Sequence, residues 1–404
     1  MEFRTIHEDE FDAFELALSN AFGDVEAAAH EVASDRLSIE FDRTFAAFDE
    51  GRIVGCAAVY TFSSVVPGGG TVGTAGVTWV GVLPTHRRRG ILTELMRRML
   101  DQAAERGEPI ATLLASEGQI YGKFGFGLAV LGRSFDVALD RVRWAPGTRS
   151  EGRTRLITHE EARPHLQAVY ERFASSRPGA MLPTDRQYSW IFSGITKPDE
   201  KSFVVLHEDE HGVPDAYAIY RIKHRWPRGL PSNRLTVHQV VACTPAGSAS
   251  IWRFLFDVDL VSRVRAYDLA LDDPLTWQMA EPRALRATIE DLLYVRPIDV
   301  AAALSARGYL EDGRLVIDVR DEFRPANTGT FELTVEGGKG SCAPTVAEPE
   351  IACTIHVVGA TYFGGVSWGT LARAGRLEER SDGAVGRADA MFRSDVAPWP
   401  IIHF

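Results

Sequence analysis

Residues 80–92 read VGVLPTHRRRGIL, and this stretch decides how the surrounding chain folds. A β-branched run ends at Leu83 and Pro84, a turn with three consecutive arginines follows, and Gly90 precedes an amphipathic segment. Apolar residues recur in that segment at helical spacing, which predicts a helix over residues 91–106. The stretch therefore predicts a strand, a basic turn and a helix in succession.

The start of this helix has the properties of an anion-binding site. The first turn of a helix leaves backbone N–H groups unpaired at its positive end, and Gly90 lets a ligand approach the backbone closely. Arg87, Arg88 and Arg89 add charge that phosphate groups would pair with. Upstream, the free edge of residues 80–82 is suited to bonding an extended amide chain. Pyrophosphate beside a peptide-like arm describes coenzyme A, and the alternative is a solvated basic turn.

Turn-rich segments divide the chain into three predicted regions, residues 1–145, 146–288 and 289–404. In the first region, runs at 53–66 and 71–83 predict a hairpin, and strands are expected at 110–116 and 128–139. The second region repeats this order of elements with little identity of letters, so we interpret it as a diverged copy of one αβ module. An unrelated αβ domain is the alternative.

Other elements are expected from the same patterns. Helices are predicted over residues 25–36, 185–192 and 297–305, and a strand over residues 352–357. The chain ends in Trp399, Pro400, Ile401, Ile402, His403 and Phe404, an apolar sequence that predicts a packed terminus rather than a frayed one.

Composition indicates a soluble globular protein of several domains. The chain has 404 residues, 45% of them apolar and 25% charged, and its formal net charge is -11. A net negative charge disfavours nucleic-acid partners and favours cationic small substrates. No apolar run reaches the ~18 residues that a membrane span needs, and no signal-peptide pattern begins the chain. The four cysteines lack metal-ligand spacing. We therefore expect a cytoplasmic protein with no metal and no membrane partner.

A second informative stretch, residues 115–126, reads ASEGQIYGKFGF. Together with RRRGIL at residues 87–92, it resembles the GNAT superfamily of N-acetyltransferases, although Leu92 stands where that superfamily often has a second glycine or alanine. The closer resemblance is to the Eis (enhanced intracellular survival) family, through VLPTHRRRG at residues 82–90 and ASEG and IYG around Tyr121. The resemblance spans essentially the whole chain.

The resemblance implies an α/β (α+β) fold with tandem GNAT folds, the second degenerate, followed by a sterol-carrier-protein-like α/β domain. It also implies an acetyl-CoA-dependent N-acetyltransferase that modifies aminoglycoside-like polyamines, at several positions in this family, and that assembles as a homohexamer. No metal is expected.

The cofactor contacts are expected at the basic turn, at the strand before it and, by resemblance, at the turn before Tyr121. They are Val80, Gly81, Val82, Arg88, Arg89, Gly90, Ile91, Leu92, Thr93, Ser116 and Glu117. The corresponding junction of the second copy, residues 241–248, has no arginine cluster. We therefore predict that the second copy binds no coenzyme A and helps to wall the substrate pocket.

Tyr121 is the candidate general acid, since a phenol with a pKa near ~10 is protonated at neutral pH. By resemblance it protonates the coenzyme A sulfur; a packed aromatic is the alternative. The resemblance makes the α-carboxylate of Phe404 the base, although a free α-carboxyl has a pKa of only ~3.3–3.7, and His403 is a competing base. No Ser-His-Asp or Cys-His arrangement points to a covalent intermediate.

Phe22, Asp24 and Glu281 correspond loosely to acidic and aromatic pocket positions of the family, where they would bind ammonium groups. Two other functions are the alternatives to acetyl transfer: a lipid carrier or sensor with a vestigial acetyltransferase part, and a nucleic-acid binder at the basic turn. The intact turn and Tyr121 argue against the first, and the net charge argues against the second.

Overall fold

The computed structural model describes residues 1–24, 29–185, 187, 188, 191 and 201–404. The strands, in chain order, are β1 (Glu2–Arg4), β2 (Thr44–Asp49), β3 (Arg52–Val65), β4 (Thr71–Val82), β5 (Ile110–Leu113), β6 (Gly127–Ala138), β7 (Arg153–Ile157), β8 (Met181–Leu182), β9 (Ser202–Glu208), β10 (Pro214–Lys223), β11 (Asn233–Ala242), β12 (Val261–Ala270), β13 (Thr288–Pro297), β14 (Gly313–Arg320), β15 (Gly329–Glu336), β16 (Lys339–Pro344), β17 (Ile351–Thr354) and β18 (Leu377–Glu379).

The α-helices of the described chain are α1 (Phe11–Phe22), α2 (Ala29–Ser38), α3 (Ile91–Glu105), α4 (Gly118–Gly122), α5 (His159–Ala174), α6 (Pro245–Phe256), α7 (Leu275–Gln278), α8 (Val300–Ala306), α9 (Ile355–Thr361), α10 (Trp368–Arg373) and α11 (Ala384–Phe392).

Two sheets organise these elements. A thirteen-stranded sheet runs in the order β1-β2-β3-β4-β5-β13-β6-β12-β11-β10-β9-β7, with β8 pairing off this path against β3. A five-stranded sheet in the C-terminal part has the order β16-β15-β14-β17-β18. The predicted hairpin is confirmed, since β3 and β4 pair antiparallel.

The large sheet is continuous because strands are exchanged across the two copies. β13, the last strand of the second copy, pairs antiparallel with both β5 and β6. β6, the last strand of the first copy, pairs on its other edge with β12. The two copies therefore share one backbone hydrogen-bond network.

The same gap opens in both copies. β4 pairs in parallel with β5 at Thr74, Ala75 and Gly76, and the recorded pairing stops there although β4 continues to Val82. β11 likewise pairs in parallel with β12 as far as Val237 and continues to Ala242. Each copy therefore holds two parallel strands that begin paired and then diverge.

Helix α3 packs on the large sheet through an apolar face, and two buried ion pairs join segments that are far apart in the chain. The predicted amphipathic helix is confirmed as α3, whose buried residues are Ile91, Leu95, Met96, Met99, Leu100 and Ala103. Arg43 and Glu108 form a bidentate pair at 2.7 Å beside it. Arg296 pairs with Asp321 at 2.6 Å, and both side chains are almost completely buried. The predicted packed terminus is also confirmed, since Ile402 is 3% exposed.

Several predicted elements were wrong in extent. The strand predicted over residues 352–357 ends at Thr354, and helix α9 begins at Ile355. Its β-branched residues favour a strand locally, but packing against β6 and β13 decides the outcome. The helix predicted from residue 297 begins at Val300, because Asp299 caps it and Pro297 ends β13. Strands β2, β8, β13, β16 and β18 had not been predicted. Of the helices predicted over 25–36 and 185–192, residues 25–28, 186, 189, 190 and 192 lie outside the described residues.

Candidate active site

A cleft of about 520 Å³ lies where β4 ends and α3 begins. Most of the predicted cofactor residues line it, together with the predicted acid and one predicted substrate residue. They are Val80, Gly81, Val82, Arg88, Gly90, Ile91, Leu92, Thr93, Ser116, Glu117, Tyr121 and Phe22. The fold therefore brings two sequence stretches about thirty residues apart into one site.

The first turn of α3 offers backbone donors to this cleft. Gly90 is the N-cap residue, and no side chain caps the helix there. The first intrahelical bond runs from Glu94 N–H to the Gly90 carbonyl at 3.1 Å. The N–H groups of Ile91, Leu92 and Thr93 precede that bond and are available to an anion.

Gly90 is required by its conformation rather than by crowding. Its φ of 81° lies in the left-handed region, and a Cβ at this position would meet no described protein atom within 4 Å. A bulky side chain here would strain the backbone and project into the space that a ligand would occupy. Arg88 also has a positive φ, 63°.

The three arginines of the turn have different environments. Arg87 donates to the backbone carbonyls of Ala21 at 2.8 Å and Val82 at 3.3 Å, so it ties the turn to α1 and β4. Arg88 and Arg89 are exposed. Only Arg87 and Arg88 of the three contribute to the described lining of the cleft, so the role of Arg89 stays a prediction.

Tyr121 sits on the short helix α4, where the sequence indicated only a glycine-rich turn. It is 6% exposed, and its ring packs edge-on against Phe126 with 6.2 Å between centroids. Burial raises the pKa of the Tyr121 phenol, and an interaction with the Ser116 side chain acts in the opposite direction. The phenol is therefore a proton donor at neutral pH.

The C-terminal part of the chain packs directly behind this turn. His356 of α9 hydrogen-bonds through Nε2 to the Gly122 carbonyl, and its Nδ1 lies 3.1 Å from Thr354 Oγ1. A Cβ at Gly127 would collide with the backbone of α9. No local pattern predicts this contact, because 234 positions separate His356 from Gly122.

The C-terminus approaches β4 at a different point. The Phe404 ring packs against Phe62 and lies beside Gly76. Gly76 and Val80 are four residues apart on β4, or ~13 Å at the usual strand rise. Phe404 is not among the residues that line the described cleft. His403 instead pairs through Nε2 with Asp268 at 2.9 Å, and its side chain is 59% exposed.

Two predicted substrate residues lie outside the cleft. Asp24 is exposed just after α1, and its N–H closes the helix end on the Ser19 carbonyl at 3.0 Å. Glu281 accepts from the Arg283 N–H at 3.3 Å and pairs with that guanidinium at 3.4 Å. Their substrate roles stay predictions.

Four lining residues had no predicted role at the site: Ala21, His86, Ile120 and Lys123. Arg87, which was predicted only to add charge for phosphate groups, lines the cleft as well. Ile120 and Lys123 flank Tyr121 in the quoted motif, so their proximity to it was the signal that could have identified them. Ala21 belongs to α1, and the local sequence pattern alone does not show that α1 lies beside the site.

The corresponding helix start in the second copy is built differently. Thr244 caps α6 through its side chain, which accepts from the Gly247 N–H at 3.0 Å. Arg172 and Arg177 border a nearby cleft of about 620 Å³, and Arg177 is paired with Asp272 at 2.8 Å. The Thr244 side chain thus accepts a hydrogen bond from an N–H group in the first turn of α6, whereas no side chain caps the first turn of α3.

Among the described residues, no three His, Cys, Asp or Glu side chains come together in a way that would hold a metal ion. No helix in the described part of the chain has both the length and the apolar character to cross a membrane.

Family models match three consecutive parts of the chain. Models of an acetyltransferase (GNAT) domain match residues 2–129 and 183–297, and a sterol carrier protein domain model matches residues 300–400. The interpretation of the second region as a diverged copy is thereby confirmed. The fold is mixed α/β, with two GNAT domains followed by a sterol-carrier-like domain.

Relatives match over nearly the whole length. An uncharacterized N-acetyltransferase of Streptomyces avermitilis is 36% identical over 407 residues, covering 98% of each chain. N-acetyltransferase Eis of Mycobacterium tuberculosis is 33% identical over 353 residues, covering 85% of this chain and 84% of that one. The crystal structure of Eis1 from Mycobacterium abscessus superposes with a TM-score of 0.85 at 30% identity and covers 100% of both chains. The protein is an acetyltransferase, and the chain belongs to the Eis family of GNAT N-acetyltransferases.

Proposed function

We propose that this enzyme transfers the acetyl group of acetyl-CoA directly to amines of an aminoglycoside-like polyamine, at one or several positions. The observation that carries the proposal is the single cleft that joins the open helix start at Gly90 to the buried phenol of Tyr121.

The residues of the cleft fit acetyl-CoA as co-substrate. The N–H groups of Ile91, Leu92 and Thr93, with Arg88 beside them, suit a pyrophosphate. The divergence of β4 from β5 frees backbone groups of Val80 and Val82 for an extended amide arm. Ser116 and Glu117 border the end of the cleft nearest Tyr121.

Tyr121 supplies the proton that the reaction consumes at sulfur. The amine nitrogen attacks the acetyl carbonyl carbon, the carbon–sulfur bond breaks, and the phenol O–H protonates the departing thiolate. Because burial keeps the phenol protonated, Tyr121 suits this role across the neutral range.

The nitrogen must lose one proton, and we propose the α-carboxylate of Phe404 as its acceptor. His403 is the competitor, but its Nε2 is already held by Asp268 at 2.9 Å. Phe404 also borders β4, the strand whose far end lines the cleft.

Charge and shape support a cationic substrate. The chain carries a net charge of -11, and the exposed ring of Phe22 lines the same cleft as Glu117. An aromatic face and a carboxylate are the groups that bind ammonium ions. Asp24 and Glu281 are proposed as further substrate contacts, and a cytoplasmic homohexamer is proposed as the assembly, from family resemblance.

The test is to incubate the protein with acetyl-CoA, a thiol reagent and a panel of amines that includes an aminoglycoside. Thiol release that depends on the amine, with a mass gain of one or more acetyl groups on the aminoglycoside, is the expected result. Absence of release with every amine, accompanied by fatty-acid binding, would favour the carrier function instead.

A further inference from the structure

The C-terminal segment of the chain runs through the gap between β11 and β12 of the second copy. These strands pair as far as Val237 and then separate. Trp399, Ile401 and His403 lie there, against residues 237–240 and 267–269. Trp399 and Ile401 are each 6% exposed, so the segment is packed into the sheet rather than resting on its surface.

Groups of β11 and β12 form hydrogen bonds with the backbone and the rings of this segment. Gln239 of β11 donates through Nε2 to the Ile401 carbonyl at 3.3 Å. The Tyr217 hydroxyl donates to Gln239 Oε1 at 2.9 Å, which leaves the amide nitrogen directed at the segment. From β12, the Asp268 carbonyl accepts from Trp399 Nε1 at 2.5 Å, and the Asp268 carboxylate pairs with His403.

The segment connects the two copies. Before the gap, Arg177 donates to the Ala397 carbonyl at 2.7 Å, and Trp399 N–H donates to the Pro178 carbonyl at 2.9 Å. After the gap, Phe404 contacts Phe62 of the first copy. The C-terminal segment is thus held at several points on the second copy, and its last residue contacts the first copy.

The first copy uses the equivalent gap, between β4 and β5, as part of the cleft in which we place the amide arm of acetyl-CoA. We propose that in the second copy this gap has become the receptor for the chain's own C-terminal segment. Gln239 and Asp268 are then positioning residues, which set where the α-carboxylate of Phe404 lies relative to the substrate. Their effect on turnover rests on the role proposed above for Phe404, whereas docking of the segment does not.

Docking is measured without reference to activity. A carboxypeptidase that removes C-terminal aromatic residues is applied to the full-length protein, and release of Phe404 is followed by mass spectrometry. Tyr217→Phe keeps the shape of a fully buried ring and deletes the hydroxyl that orients Gln239. Gln239→Leu deletes the donor itself. Each variant loses one hydrogen bond, so we expect Phe404 to be released about fivefold faster from each of them than from the wild type.

Turnover and coenzyme affinity are measured on the same variants. We expect kcat to fall ~10–10²-fold, because a small displacement of a reacting group causes a loss of this size. The KM for acetyl-CoA should not change, because neither residue lines its cleft. Tyr220→Phe is the matched control: it removes a hydroxyl from the same strand, β10, but its ring stacks on Phe203 in a different apolar cluster. It should behave as wild type in all three assays.

Release of Phe404 at the wild-type rate from both variants would overturn the receptor proposal. Faster release with unchanged kcat would overturn the positioning role alone. A parallel loss of kcat, acetyl-CoA affinity and melting temperature would also overturn it, since that is the result of general destabilisation. If the wild-type enzyme acetylates no amine, the proposed function fails, yet the comparison of release rates still decides whether the segment docks as described.

Discussion

The ring of Phe404, the last residue of the chain, packs edge-on against the ring of Phe62 in β3, with 4.9 Å between the centroids. Gly76 on the neighbouring strand makes room for both rings, since a Cβ there would lie 2.5 Å from Phe62 and 3.2 Å from Phe404. Phe404 is thereby held in place by the packing of its side chain.

The first prediction concerns the α-carboxylate of Phe404. Extension of the chain by two glycines moves the charge by several ångströms, since each extended residue spans ~3.3–3.6 Å. Amidation of Phe404 removes the charge and keeps the ring. Both changes should reduce kcat strongly while the melting temperature stays near that of the wild type.

The control for this experiment is His403→Ala, which should affect kcat less. Full activity of the extended protein would rule out Phe404, and His403 would become the leading base. Loss of stability in proportion to loss of activity would make the terminus a packing element only.

The second prediction concerns the helix start. Gly90→Val, or Arg88→Glu combined with Arg89→Glu, should abolish acetyl-CoA binding in calorimetry while the fold is kept. The first change strains a left-handed backbone and fills the cleft, and the second reverses the local potential.

A matched charge reversal is available at Arg141 and Arg149, whose side chains are 76% and 84% exposed. The double variant Arg141→Glu, Arg149→Glu changes the net charge equally and should leave coenzyme affinity intact. Equal losses in the two double variants would show that net charge, and not the cleft, governs binding.

The third prediction concerns the acid. Tyr121→Phe deletes one hydroxyl from a buried ring, so acetyl-CoA affinity should hold while kcat falls ~10²–10⁴-fold. Because burial raises the pKa of Tyr121 above its usual 10.0, the protonated phenol persists to alkaline pH. Any decline of the wild-type kcat caused by this group should therefore have its midpoint at a higher pH than that of an ordinary phenol. A near-normal kcat for the variant would show that Tyr121 contributes only packing and is not the acid.

The fourth prediction concerns the contact behind the acid. His356→Ala removes the hydrogen bond to the Gly122 carbonyl, next to Tyr121. We expect kcat to fall about tenfold, as loss of one well-placed hydrogen bond does, with the acetyl-CoA dissociation constant unchanged. His356→Gln restores a donor and should recover most of the activity. Failure of glutamine to do better than alanine would indicate that the imidazole acts only by packing.

The fifth prediction concerns stability. Glu108→Gln breaks the bidentate, buried pair with Arg43 and leaves a guanidinium without its counter-charge. The free energy of unfolding in urea should fall by ~3–5 kcal/mol. Glu105→Gln, at the exposed end of α3, should change it by no more than about 0.5 kcal/mol. Similar values for the two variants would mean that the pair contributes no more than a surface charge.

Much of the first copy was predictable because its signals are local. The spacing of Leu95, Met99 and Ala103 predicts one face of a helix, and Gly90 with the arginines before it predicts that helix's open start. A short motif makes Tyr121 the candidate acid, although the motif did not show that it lies on a helix.

Other features depend on residues far apart in the chain. β2 and β13 were missed because their place in the sheet, and not their composition alone, makes them strands. The β-branched residues Ile355 and Val357 predicted a strand where tertiary packing imposes helix α9. His356 and Gln239 carry no local sign of the contacts they make.

The sequence by itself therefore determined the family, the order of the modules, the open helix start and the candidate for the acid, since each follows from neighbouring residues. Only the tertiary structure decided that β6 and β13 cross between the copies, that the C-terminal segment enters the gap between β11 and β12, and that Phe404 meets Phe62 across 342 positions. The physical reason is that these contacts depend on the order of the strands and on close packing in the folded protein. Many residues have the same local preferences, so the local sequence does not show which of them will meet.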